Sequence, residues 1–202
     1  MEAQKTLSEG YREAGRLDLR GNTWMLVALN VVAFLATVGF AVLFFRLAVL
    51  LRGGAVADWN ELTITGERLI WLFLEVLLLS AVAVIAHELL HALGFWAFTG
   101  ERATFGFKGL YAYAGAPDWY LPRNQHIVTL LLPFVVISGV GILVMAVVPA
   151  ALLTEVVLVL ILNAAGAVGD LAALVWLLTK PRSAYVNDHG DSLIVFVGSD
   201  AT

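Results

Sequence analysis

Four long apolar runs constrain this chain more than any other feature of its sequence. They cover residues 24–51, 68–98, 127–148 and 155–179, and each is long enough for a helix that crosses a bilayer, which takes about 20 residues. Such runs form helices because lipid offers no partner for unpaired main-chain groups. Of the 202 residues, 60% are hydrophobic and 14% are charged, whereas about a quarter of a soluble domain is charged. The sequence therefore predicts an all-α membrane protein with four transmembrane helices.

The positive charges predict the orientation of these helices. With four spans, both termini and segment 99–126 share one side, which carries the residues Lys5, Arg12, Arg16, Arg20, Arg102, Lys108, Arg123, Lys180 and Arg182. The other side carries only Arg52 and Arg68 near its ends. Because basic residues concentrate in the cytoplasm, we expect a multi-pass cell-membrane protein with both termini cytoplasmic. The expected organisation is a cytoplasmic segment 1–23, a membrane domain 24–180 and a cytoplasmic tail 181–202.

Charge and cysteine content narrow the classes of function. The net charge is -4 and no basic block is present, so nothing indicates a nucleic-acid partner. The chain has no cysteine, which excludes disulfides and cysteine-based metal sites.

The second apolar run contains the motif H-E-L-L-H at residues 87–91. His87 and His91 are four residues apart and share one face of a helix, with Glu88 beside them. Two imidazoles at this spacing can bind one Zn²⁺, and the adjacent carboxylate can accept a proton from water at the metal. Ionisable groups inside a membrane are costly and usually functional. The alternative is a pair of core histidines satisfied by hydrogen bonds.

A catalytic zinc needs a third protein ligand, and Asp170 is the best candidate. The H-E-x-x-H-x-x-G-x-x-H pattern of soluble metalloproteases is incomplete here, because Ala97 stands at the third histidine position. Asp170 is the only acid in the interior of the fourth run, which begins at Glu155, and it lies ten residues before Lys180, while His91 lies nine residues before Gly100. The two helices run in the same direction, so these side chains are predicted at similar depth. The alternative role for Asp170 is a hydrogen bond between helices.

Three other polar residues, which lie in or beside the apolar runs and in the tail, have roles other than the ones above. Asn163 lies seven residues before Asp170, nearly on the same helix face, where it could bind the substrate backbone, hold a zinc ligand or link two helices. His126 and His189 are expected at the surface rather than at the metal.

Segment 99–125, directly after the H-E-L-L-H helix, alternates aromatic and small residues. This pattern predicts a short β-hairpin in the cytoplasmic loop between helices 2 and 3. A free strand edge there could pair with an extended substrate and present its backbone to the metal, with Phe105, Phe107 and Tyr111 as candidate substrate contacts. The same aromatics could instead anchor the loop at the membrane interface.

Four segments carry a resemblance to a known family: G-Y-R-E-A-G-R-L-D-L at 10–19, H-E-L-L-H-A at 87–92, G-D at 169–170 and V-N-D-H-G-D at 186–191. Together they resemble the integral-membrane family described as putative zincin peptidases, which is similar in logic to the site-2 proteases. The resemblance implies that His87 and His91 bind zinc and that Glu88 is the catalytic acid/base. It also supports Asp170, which matches the aspartate that site-2 proteases supply from a later helix.

These observations predict a membrane-embedded zinc metalloendopeptidase that performs intramembrane proteolysis on membrane-anchored proteins. Two alternatives remain open: a non-catalytic metal-binding protein that only holds its clients, and a small ion transporter whose histidines and Asp170 line a path.

Overall fold

The structure, a computed structural model, describes residues 1–18, 23–53, 66–108, 111–190 and 192–199. In chain order its elements are β1 (Tyr11–Asp18), α1 (Thr23–Arg52), α2 (Gly66–Thr99), β2 (Thr104–Lys108), β3 (Tyr111–Pro122), α3 (Arg123–Val147), a short 3₁₀ turn (Ala150–Leu152), α4 (Leu153–Gly166), α5 (Val168–Leu178), β4 (Tyr185–Asp188) and β5 (Ser192–Gly198).

The helices agree with the four apolar runs. By length and composition α1, α2 and α3 can each cross a membrane, and α4 with α5 qualify together as one span that is bent by 41°. At 1.5 Å per residue, the 34 residues of α2 extend about 51 Å, which exceeds the roughly 30 Å hydrocarbon core. Large apolar side chains on the outside, such as Leu50, Ile70 and Val147, are more than half exposed, which is compatible with contact to lipid.

The prediction of an all-α protein with one short hairpin is wrong in its extent of β-structure. The predicted hairpin is present as β2 and β3, but it belongs to a five-stranded antiparallel sheet in the order β1-β5-β4-β3-β2. The additional strands come from the polar segments on both sides of the helices. β1 precedes the helices and pairs with β5 along its length, while β4 and β5 follow the helices and β4 joins β5 to β3. The strand signal in the tail is the short apolar run S-L-I-V-F-V-G at 192–198, in which Leu193, Ile194, Val195 and Val197 are buried.

The sheet lies at one end of the helices, at the C-terminal ends of α2 and α5 and the N-terminal end of α3. Its apolar face packs on Leu130 of α3 and on Ala173 and Leu177 of α5. Arg123, which is buried at the start of α3, donates hydrogen bonds to the carbonyls of Leu177 and Leu178 at 2.8 and 3.5 Å. A cation at these free carbonyls stabilises the end of α5 and fixes the helix that carries Asp170.

A second core joins the other ends of the helices. It contains Phe44 and Ala48 of α1, Met145 of α3, and Leu153, Val157, Leu160 and Ala164 of α4. Arg52 donates to the carbonyl of Val148 at 2.6 Å, so the far end of α3 is also capped by a cation. The polar cluster described next therefore lies between two apolar regions.

Candidate metal centre

His87, His91 and Asp170 converge on one point between α2 and α5. Nε2 of His87 lies 2.9 Å from Oδ2 of Asp170, and Nε2 of His91 lies 3.4 Å from the same oxygen. Both histidines are buried, while the side chain of Asp170 is 21% exposed. The bend between α4 and α5 places Asp170 in the first turn of α5, where the N-terminal end of a helix favours a carboxylate.

The Nδ1 atoms of both histidines are held by acceptors on neighbouring helices. Nδ1 of His87 donates to Oδ1 of Asn163 at 3.1 Å, and Nδ1 of His91 donates to the main-chain oxygen of Thr129 at 3.0 Å. A histidine that donates from Nδ1 presents its lone pair at Nε2. Both Nε2 atoms face Asp170, so both rings are in the orientation that a shared metal requires.

This donor set fits a zinc ion. The three ligand atoms all lie within 4.8 Å of one another. In a tetrahedral site with bonds of about 2.1 Å, two ligand atoms are about 3.4 Å apart, close to the observed separations of 2.9 and 3.4 Å. Two imidazoles and one carboxylate also form the ligand set of hydrolytic zinc sites that keep a fourth position for water.

Glu88 lies next to this cluster and contacts the sheet. It is half-buried, and its carboxylate accepts a hydrogen bond from the main-chain N–H of Ala114 in β3. The contact joins the H-E-L-L-H helix to the hairpin that follows it in sequence. A carboxylate so held beside the cluster is positioned for proton transfer there.

Among the residues that the structure describes, no strand pairs near the hairpin with the edge of β3 that faces Glu88. Pairing of β3 with β4 reaches only Ala116, while β2 pairs with β3 from Gly115 to Tyr111 on the other side. Lys108 and Tyr111 form the closing pair of the hairpin and are separated by two residues, so their main-chain groups bond to each other. In an antiparallel pair, bonded and non-bonded residue pairs alternate, so the pairs that contain Ala112 and Ala114 are not hydrogen-bonded to β2. The main-chain groups of Ala112 and Ala114 therefore point away from β2, which agrees with the bond from Ala114 to Glu88.

Of the other residues predicted to contact the substrate, Asn163 lies at the cluster, whereas Phe105 and Phe107 lie on the hairpin. Asn163 is buried and contacts a predicted zinc ligand, which is one of the roles expected for it. Phe105 and Phe107 pair with Ala114 and Ala112 and are 55% and 72% exposed, so they project from the hairpin beside its unpaired edge. Tyr111 begins β3, and its side chain lies outside the described part of the structure.

The structure contains a buried pair, His126 and Asp188, that the sequence pattern did not predict. His126 is fully buried rather than at the surface, and its Nε2 lies 3.5 Å from Oδ2 of Asp188 in β4. Burial raises the pKa of Asp188 to about 7. Asp188 also accepts the N–H of Gly190 at 2.6 Å, and Gly190 (φ +83°) leaves no room for a Cβ beneath the ring of Tyr113. The motif V-N-D-H-G-D, which contains Asp188 and Gly190, was the available signal.

Comparison with known proteins agrees with this geometry. No curated protein and no solved structure matches the chain. A protein-family model with the description "Putative zincin peptidase" matches residues 80–185, which contain the H-E-L-L-H motif, Asn163 and Asp170. This match covers half of the chain, and the chain therefore belongs to the putative zincin peptidase family.

Proposed function

We propose that the protein is a membrane-embedded zinc metalloendopeptidase, similar to the site-2 proteases, that hydrolyses peptide bonds of membrane-anchored proteins. The observation that carries this proposal is the convergence of the Nε2 atoms of His87 and His91 on one oxygen of Asp170, with Glu88 beside them. His87, His91 and Asp170 would hold the zinc, and Glu88 is the catalytic residue.

The roles of the residues follow from their contacts. Zinc, when bound, supplies a Lewis acid that makes water a nucleophile near neutral pH. Glu88 accepts the proton of the attacking water on its carboxylate and transfers it to the leaving nitrogen of the peptide. Asn163 and the Thr129 carbonyl hold the two imidazole rings, so their orientation is set before substrate binds.

The unpaired edge of β3 is the proposed binding site for the substrate backbone. A transmembrane helix hides its carbonyls in internal hydrogen bonds, so its cleavage requires an extended segment. Such a segment can pair with the N–H and carbonyl of Ala112 and with the carbonyl of Ala114, whose own N–H is bonded to Glu88. Phe105 and Phe107 are on the same hairpin and can contact its side chains or the lipid interface.

We also propose the membrane in which the protein lies and its orientation there. The basic residues favour a multi-pass protein of the cell membrane with the sheet, both termini and the site opening on the cytoplasmic side. In that orientation water and extended segments reach the cluster from the end of the helices that carries the sheet.

The test compares the purified wild-type protein with Glu88→Gln and Glu75→Gln. Glu75 lies twelve residues before His87 in the same helix, about 18 Å away along its axis, so the control makes an identical chemical change far from the site. We expect one zinc per chain in all three proteins. Cleavage of a membrane-anchored reporter should fall roughly 10²–10⁴-fold in Glu88→Gln only.

The other outcomes of this test reject the peptidase mechanism or favour one of the two alternative functions. Cleavage that survives Glu88→Gln rejects the peptidase mechanism. Stoichiometric zinc without cleavage of any reporter favours a client-holding metalloprotein. Ion flux into liposomes that His87→Ala abolishes, in the absence of bound zinc, favours the transporter. Membrane proteomics of cells that carry Glu88→Gln, searched for proteins that accumulate uncut, would identify the substrates.

A further inference from the structure

Helix α3 contains a proline, Pro133, four residues after Thr129, whose carbonyl contacts His91. Pro133 lies in the interior of α3 and is fully buried. In an α-helix the N–H of each residue donates to the carbonyl four residues earlier, but proline has no N–H. The carbonyl that loses its donor here is that of Thr129, and its oxygen is the acceptor of the bond from Nδ1 of His91.

We propose that Pro133 is a positioning residue for the metal centre: it removes the helical donor of the Thr129 carbonyl, so that this oxygen is reserved for His91. This inference rests on the proposed zinc site. The proline ring also clashes with the carbonyl four residues before it, which tilts that oxygen out of the helix. Thr129 is fully buried, and so His91 supplies the hydrogen bond that a carbonyl in this location requires.

The contact between α2 and α3 supports the same assignment. Gly94, one turn after His91 on α2, lies directly against Thr129: a Cβ at position 94 would be 2.9 Å from Cγ2 and 3.2 Å from Cα of Thr129. The absence of a side chain at Gly94 therefore lets the two helices approach at this point. The hydroxyl of Thr129 donates to the carbonyl of Gln125 at 3.1 Å within its own helix, so the main-chain oxygen rather than the hydroxyl serves His91.

The test is Pro133→Ala, which restores an N–H that competes with His91 for the Thr129 oxygen. Groups that orient metal-bound histidines change metal affinity by about 10–100-fold when they are altered. We expect the zinc Kd, measured by chelator competition in detergent, to rise about tenfold. Alanine favours a helix more than proline does, but the substitution also removes buried ring carbons. Because these two effects oppose each other, the metal-free variant should have a Tm close to that of the wild type.

The matched control is Val135→Ala, which also introduces alanine into α3 but changes a side chain that is 58% exposed and leaves the Thr129 carbonyl as it is. Its zinc Kd should equal that of the wild type. A purely structural role for Pro133 would lower Tm and zinc affinity together. That result, or an unchanged Kd in Pro133→Ala, overturns the proposal.

A second measurement needs no metal and separates this proposal from the proposed function. The chain has four histidines, so ¹⁵N-histidine spectra of the metal-free protein can be assigned by substitution. The Nδ1–H proton of His91 should exchange slowly with solvent in the wild type, because it is bonded to the Thr129 carbonyl, and faster in Pro133→Ala. A protein that binds no zinc but shows this change refutes the peptidase and retains the role of Pro133. Equal exchange of this proton in both proteins refutes the role of Pro133.

Discussion

The contact between Asn163 and His87 gives the sharpest test of how the cluster is built. Oδ1 of Asn163 accepts the proton of His87 Nδ1 at 3.1 Å, and Asn163 is 2% exposed. In Asn163→Ala the ring loses the bond that sets its tautomer. We expect zinc affinity to fall about 10–100-fold, which corresponds to about 1.4–2.7 kcal/mol of binding free energy. The metal-free protein should also lose roughly 1–3 kcal/mol of stability, because His87 Nδ1 becomes a buried donor without an acceptor.

Asn163→Asp is the matched variant for this test. A carboxylate can accept the same proton from His87, as in the carboxylate–histidine–zinc arrangements of other metalloproteins. Zinc affinity should therefore stay at the wild-type value or exceed it. The assay is chelator competition on purified protein in detergent, with Tm of the metal-free form as the stability measurement.

The alternative role of Asn163, a contact to the substrate backbone, makes the opposite prediction. In that case Asn163→Ala would keep the wild-type zinc Kd and raise KM for a peptide substrate. This pattern would refute the assignment of Asn163 to the orientation of His87.

Three other substitutions test separate parts of the site. Asp170→Ala should abolish stoichiometric zinc in elemental analysis after dialysis, and full retention would exclude Asp170 as a ligand. Ala112→Pro removes an N–H of the unpaired β3 edge without breaking a bond to β2. Its kcat/KM should fall roughly 5–30-fold, which corresponds to about one or two kcal/mol of lost hydrogen bonding, and its zinc content should be unchanged. The control Ala112→Gly keeps the N–H and should have a kcat/KM close to that of the wild type. Burial raises the pKa of Asp188 to about 7 in the folded protein, whereas in the unfolded chain it is about 4. The free energy of unfolding therefore falls as pH rises from about 4 to 7, because the unfolded chain ionises first. Asp188→Asn should remove that loss, with a Tm above wild type at pH 7.5 and equal to it at pH 4, and parallel Tm–pH curves would contradict the assignment.

Residues in regular helices were the most predictable part of this protein. The spacing of His87 and His91 fixes their common face, and counting residues to the helix ends placed Asp170 at a similar depth in a parallel helix. The structure brings these three side chains together. Counting succeeds here because the rise per residue of a helix is constant and the bilayer aligns the helices.

The sheet could not be derived in the same way. Pairing of β1 with β5 joins segments at opposite ends of the chain, and neither the distance nor the register of that pairing is encoded locally. His126 was expected at the surface because it stands at the start of the third apolar run, but Asp188 of the tail strand β4 lies against its ring. The link from Pro133 to His91 was equally hidden, since it depends on which helix lies against the freed carbonyl.

The pairing of β1 with β5 also has a consequence for biosynthesis. A ribosome makes Tyr11–Asp18 before the apolar helices and Ser192–Gly198 after them, so these two strands can join only after all of these helices have been synthesised. Until Tyr185–Asp188 is made, the hairpin partner β2 is the neighbouring strand that β3 has, and until Ser192–Gly198 is made, β4 lacks its neighbour β5. The nascent chain can therefore insert its helices into the membrane before the surface beside Glu88 is complete, and translation that stops before residue 192 yields a protein with an incomplete sheet.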